Sequence, residues 1–172
     1  MSVDADITIR RETFTASITR PANTTAYASG QVLAAVNTDA LFTLGTTDDT
    51  WTHKVTRPGK GTGMVESLQV HSSIAGAKAD AELWIFNTTI APVADGAAFN
   101  PSDAEALTRV MVVELPAYLW KTGGANASLE IANLDRPFTA KDGKLYAQLV
   151  WKGAYTPTAS EVFTLSTNIS KD

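Results

Sequence analysis

A chain of 172 residues fits one domain with a sizeable core. Its 44% hydrophobic and 19% charged residues exclude a disordered chain, and a net charge of −4 with a pI of about 5.1 excludes a molecule drawn as a whole to nucleic acid or an anionic membrane. With no cysteine there is no disulfide, thiol nucleophile or thiolate metal site, so packing alone must hold the fold.

The opening Met-Ser-Val-Asp-Ala-Asp has two acids and no apolar stretch, so no secretory signal is expected. Ile7 and Ile9 share one strand parity, whereas Phe14, Ala16 and Ile18 share the other, with Arg10-Arg11-Glu12 between them. Either a bulge at that triplet restores the phase, or residues 1–12 form an N-terminal arm on a single domain spanning 13–172. Turn residues follow at Pro21-Ala-Asn23 and Ser29-Gly30. The stretch 43–63 lacks sustained alternation, is rich in Thr, Gly and charge, and reads as an exposed loop with a turn at Pro58-Gly59. In 64–74, Leu68, Val70 and Ile74 alternate with Ser67, Gln69, His71 and Ser73, the pattern of a strand with one face on a core and one toward water.

After a turn at Ala75-Gly76, residues 81–86 place Leu83 and Ile85 on one face and Trp84 and Phe86 on the other. Residues 110–113 are also apolar on both faces. Such strands require cover on both sides, from a long loop or a neighbouring subunit, which points toward assembly. Between them, 87–100 is a second long loop, and Ser102 with Glu105 three residues later predicts one capped helical turn. Beyond a turn at Gly123-Gly124, alternation returns in 128–134, 144–151 and 161–169, each again expected to have one wet face. Asp142-Gly143, between Phe138 and Leu145, predicts a hairpin. No uncharged apolar run approaches the roughly 18 residues of a membrane span. About eight strands in all predict an all-β, two-sheet antiparallel sandwich of jelly-roll type, with an extended N-terminal segment.

The search for chemistry finds little. Pro58-Gly-Lys60-Gly-Thr62-Gly63 looks like a phosphate loop, but Gly61 follows Lys60 where Ser or Thr is needed, and Lys54 stands where the first Gly belongs. His53 and His71 are the only histidines, with no spacing that binds zinc and no Gly-x-Ser-x-Gly elbow. The pairs Asp4/Asp6 and Asp48/Asp49 lack a calcium loop and read as solvated charges. Sequons at Asn23, Asn87, Asn126 and Asn168 read as chance matches. No cofactor, metal or catalytic residue is therefore expected. The locally basic run containing Lys54, Arg57 and Lys60 suits contact with an acidic partner surface. Trp51 beside it, between polar threonines, suits a partner or a sugar.

Two stretches carry a resemblance. Arg20-Pro21, Thr25-Ala26-Tyr27 and Ser29-Gly30-Gln-Val32 form the first phrase. Leu83-Trp-Ile-Phe86-Asn87, then Asp95-Gly-Ala-Ala98-Phe99 and Ser102-Asp103-Ala104, form the second. Together they resemble, in the same order and over roughly 40 residues, the virion structural proteins of tailed bacteriophages. What the resemblance implies is a head decoration or cement protein. Such proteins sit as trimers on the outer capsid and tie neighbouring major capsid subunits together, after synthesis in the host bacterial cytoplasm. Its partners would be the major capsid protein and copies of itself, without nucleic acid or membrane. The resemblance identifies no contact residues; read from the chain itself, the residues expected to meet partners are Ile7, Ile9, Arg10, Arg11, Trp51, Lys54, Arg57, Lys60, Trp84 and Phe86. The competing expectation is a carbohydrate-binding or fibre-type receptor-binding sandwich with Trp51, Trp84 or Trp120 as the stacking platform; an enzyme ranks third. An exposed row of tryptophans on a concave sheet would favour sugar.

Overall fold

The structure, a computed structural model, describes residues 10–35, 41–45, 62–76, 78–140 and 142–171. Among the described residues eleven strands form two antiparallel sheets. The first sheet contains β1 (Arg10–Thr19), β4 (Thr62–Ser72), β7 (Lys121–Gly123), β8 (Asn126–Ile131), β9 (Arg136–Thr139) and β11 (Val162–Lys171), in the order β1-β11-β4-β8-β7 with β9 beside β4. The second contains β2 (Val32–Leu33), β3 (Phe42–Leu44), β5 (Ala81–Phe86), β6 (Arg109–Leu115) and β10 (Leu145–Trp151), in the order β2-β10-β5-β6 with β3 also on β10. The helical content described is one turn, α1 (Asp103–Ala106), and a 3₁₀ turn at Ala117–Leu119.

Pairing is nested. β1 lies against β11, the short β2 and β3 against β10, β4 against β8 and β9, and β5 against β6. Two further pairs, β11 with β4 and β10 with β5, close each sheet. Alternation supplies the core between them. Phe163, Leu165 and Ile169 of β11 are buried against Leu83, Ile85, Leu149 and Trp151 of the second sheet, in one apolar cluster. Each such side chain contributes about 1.5–3 kcal/mol by leaving water. On the outside of the first sheet, polar partners pair across strands instead: Thr13 donates to Asn168 (2.6 Å), and Ser17 and Thr164 share a hydrogen bond of 2.8 Å.

Several expectations are corrected. β1 pairs with β11 without interruption from Arg10↔Lys171 onward, so Arg10, Arg11 and Glu12 belong to the sheet and the triplet is no bulge. A bulge is present in β4 instead, where Glu66 is an extra residue and both Val65 and Leu68 turn inward; Ile7 and Ile9 lie outside the described residues. Asp142-Gly143 is no hairpin, because β9 and β10 lie in different sheets and the turn carries the chain across the sandwich. Gly143 does take the left-handed φ of 72° that the dipeptide suggests, but the turn residues fix only the local bend. β10 is central, and its outer face is drier than the alternation suggests: Gln148 and Val150 are buried, and Tyr146 is half-buried. No helix of the described residues is long and apolar enough to cross a membrane.

Candidate functional site

Four loops converge at one end of the sandwich, and the charges buried there tie them together. Arg20, just beyond β1, is 1% exposed. Its Nε donates to the Tyr27 hydroxyl at 2.7 Å, its Nη1 to the Asn23 carbonyl at 2.9 Å, and its Nη2 reaches an Asp95 carboxylate oxygen at 3.3 Å. Asp95 also accepts from the Tyr27 hydroxyl at 2.5 Å and from the Ala34 N–H at 3.0 Å. Burial, and then the hydrogen bond to Asp95, push the Tyr27 hydroxyl well above its ordinary value. Arg20 and Tyr27 belong to the first resemblance phrase and Asp95 to the second, so two stretches distant in sequence meet in one ion network.

A second network lies alongside. The Glu161 carboxylate, fully buried, accepts from Ser72 Oγ (2.5 Å), the Tyr155 hydroxyl (2.7 Å) and the Thr158 N–H (3.2 Å), and pairs with Lys78 Nζ at 3.0 Å. Burial alone would raise this carboxyl. The bonds from Ser72, Tyr155 and Lys78 outweigh it and hold the group below its ordinary range. Burial and Glu161 together push the Tyr155 hydroxyl far up. The rings of Tyr27 and Tyr155 stack 6.4 Å apart, and Trp151 packs 4.3 Å from Tyr155, joining the two networks through aromatic contact. Ser72 thus donates to a carboxylate that Tyr155 and Lys78 also engage, and Arg20 and Lys78 each have a buried or half-buried anionic partner.

The outer face of the second sheet is covered by the loop 87–102. Phe99 stands edge-on to both Trp84 (5.3 Å) and Phe86 (6.4 Å), and the Arg109 guanidinium lies 5.0 Å over the Trp84 ring. The capping box of α1 forms as expected, with the Glu105 N–H donating to the Ser102 hydroxyl and the Ser102 N–H donating back to the Glu105 carboxylate. Glu105 also accepts from the Ala91 N–H at 2.5 Å, which fastens the turn to the start of the loop and, as the largest cause, lowers its carboxyl.

The residues expected to meet partners are therefore not one patch. Ile7, Ile9, Trp51, Lys54, Arg57 and Lys60 lie outside the described residues. Arg10 opens β1. Arg11, exposed on the same edge strand, bonds Glu66 at 3.0 Å. Phe86 is fully buried by its own chain, so its face needs no neighbouring subunit. Trp84 is half-buried, its indole N–H donating to Glu82 at 2.9 Å. Trp120 and Trp151 are in the core. Thus no tryptophan among the described residues offers a bare stacking face. His71 sits on the first sheet opposite Thr164 and Ser128, while His53 and the acidic pairs 4/6 and 48/49 lie outside the described residues. Among the described residues no group of three His, Cys, Asp or Glu side chains is placed to hold a metal. What sequence reading missed is the buried charge: Arg20, Lys78, Asp95, Glu161 and Lys171. The one available signal was the recurrence of Arg20, Tyr27 and Asp95 in the two phrases. No family model matches the chain, and no curated protein matches it.

Proposed function

We propose that this protein is a non-enzymatic decoration protein of a tailed-phage head, working as a trimer that binds the outer surface of the assembled capsid and braces it by contacts between proteins. The observation that supports the reading is the meeting of Arg20, Tyr27 and Asp95: the two phrases that resemble those of virion proteins come together in a lock on the loops. The nested strand order supports the finer jelly-roll reading, since a folded-over hairpin of eight strand positions has that connectivity. Burial of Trp120 and Trp151 weakens the carbohydrate alternative. A brace needs many modest contacts rather than one strong one, and repetition over a lattice multiplies them.

The test uses capsids assembled without the protein. The purified chain should bind them saturably and raise the temperature at which they open, while sedimentation gives a trimer. Charge reversal at Lys54, Arg57 and Lys60 should weaken binding, most visibly at low salt. A protein that stays monomeric and ignores capsids but binds a polysaccharide would replace this reading with the carbohydrate one. Turnover of an ester, glycoside or nucleotide lost on changing His53 or His71 would replace it with an enzyme.

A further inference from the structure

Among the described residues the second sheet ends in a strand with one unpaired edge. β6 pairs with β5 on one side, and among the described residues no strand pairs with the other. Edge strands offer an unpaired row of N–H and C=O groups, and proteins commonly blunt them with prolines, inward charges or covering loops. β6 has no proline. Its two ends carry the two large hydrophobic residues most exposed among those described, Leu107 at 88% just before it and Tyr118 at 77% just after. An open groove of about 830 Å³ follows the edge, lined from Trp84 and Val112 on the outer face round to Ile131 and Leu134 of the other sheet.

The direction of the free groups follows from the β5 side. Asn87 donates its N–H to the Thr108 carbonyl at 3.0 Å, so it faces the β6 side, and alternation along β5 turns Ile85, Leu83 and Ala81 the same way. Their register partners Met111, Val113 and Leu115 face β5 in return, which leaves the N–H and C=O of Val112 and Glu114 pointing outward. Arg136 Nε donates to the carbonyl of Val110, the bulged residue of β6, at 3.1 Å. Charge adds polarity. Glu114 stands directly across from Glu82 on the outer face, a like-charged pair that disfavours the sheet, and Lys152 at 3.1 Å answers Glu82 alone. At the other end of the groove stand Arg109 and Arg136.

We propose that the β6 edge is a docking site for an extended peptide segment of another protein. The segment adds to the sheet antiparallel to β6, with a basic residue near its N-terminal end beside Glu114 and an acidic residue near its C-terminal end beside Arg109. Main-chain bonds to Val112 and Glu114 supply the attachment, and alternate apolar side chains enter the groove toward Ile131 and Leu134. Leu107 and Tyr118 close over the two ends. This site is independent of the capsid reading, and its test contains no capsid, so each can fail alone.

The probe is a blocked heptapeptide, Lys-Val-Thr-Val-Thr-Val-Asp, titrated into isotope-labelled protein while amide resonances are followed. Saturable shifts should be confined to β6, Leu107, Tyr118 and the groove wall. The charge-swapped peptide, Asp-Val-Thr-Val-Thr-Val-Lys, should bind at least about tenfold more weakly. Val112→Pro removes an outward N–H without touching the β5 ladder, so the variant should keep its spectrum and lose binding. Glu114→Arg should invert the preference between the two peptides. The proposal is overturned by equal affinity for both peptides, by unchanged binding in Val112→Pro, or by no saturable shift at millimolar peptide. It is equally overturned if β6 resonances shift with protein concentration alone, which would make the occupant a second copy.

Discussion

Removing the Asp95 carboxylate tests the ion network most directly. Asp95→Ala leaves Arg20, 1% exposed, without its anionic partner, and leaves the Tyr27 hydroxyl and the Ala34 N–H without their acceptor. Breaking a buried pair from one side costs about 3–5 kcal/mol, because the remaining charge is stranded. Here the guanidinium keeps the carbonyls of Asn23 and Thr158 at 2.9 and 3.3 Å, which places the cost at the lower end, about 3 kcal/mol. For a domain of this size that corresponds to a fall in Tm of roughly 6–12 °C. Urea unfolding at neutral pH measures it as a drop in midpoint with an unchanged slope. Asp95→Asn keeps an acceptor oxygen but no charge and should lose less, while the double variant Arg20→Met/Asp95→Leu should recover part of the loss because no ion is left unpaired. A loss below about 1 kcal/mol in Asp95→Ala would refute the reasoning, since it would mean that water or another residue solvates Arg20 as well as Asp95 does.

Glu161 has a carboxyl held below its ordinary value of 4.5, so its contribution is present above that pH and is lost as pH falls through the lowered value; Glu161→Gln should flatten the acid limb of a stability–pH curve, and an unchanged limb would count against it. Tyr27 and Tyr155 are raised above the ordinary value of 10 and Tyr146 is pushed up to about 12 by burial and Asp142, so their contribution to stability is full below 10 and fades as pH rises through the raised values. An ultraviolet titration should accordingly show these three ionising late, and four tyrosines ionising together near 10 would contradict it. Phe99→Ala should loosen the loop from Trp84 and Phe86, lowering stability by about 1–2 kcal/mol for a half-buried ring and shifting tryptophan emission to the red. Gly124→Ala forces a β-branchless but L-configured residue to φ 62° in the β7–β8 turn and should cost about 1 kcal/mol by chemical denaturation.

The strands were legible wherever one face is dry and the other wet. β1 and β11 show this, because period-2 alternation reports a two-sided environment directly. β10 was located but its surroundings were misjudged: Gln148 and Val150 read as solvent-facing, yet both are buried, because alternation does not reveal what packs over a strand's outer face. The Asp142-Gly143 turn misled for a related reason. A turn dipeptide specifies a local bend, whereas the sheet that receives the next strand depends on the whole pairing order. The lock at the loop end was invisible as such, because Arg20, Asp95, Lys78 and Glu161 are residue types that normally stay in water. Only their partners, brought from up to 138 positions away as with Arg20 and Thr158, make burial affordable. The free edge at β6 was half legible, since 110–113 reads as apolar on both faces but nothing in the alternation says that the strand is terminal.

The pairing of β1 with β11 has a consequence for how the molecule comes into being. Thr13 and Asn168, hydrogen-bonded at 2.6 Å, are 155 positions apart, and β11 is also the strand that joins β1 to β4. A nascent chain that has emerged as far as β10 can close much of the second sheet, yet among the described residues its first strand still lacks the strand it pairs with. Until Val162–Lys171 arrives, Phe14 and Ile18 present a bare apolar edge. Closing so long a loop is slow by the standards of small domains, on the millisecond-to-second scale of non-local β topologies. Ribosome stalling or proteolytic clipping within those ten residues should therefore leave a sticky half-sandwich rather than a slightly shortened protein.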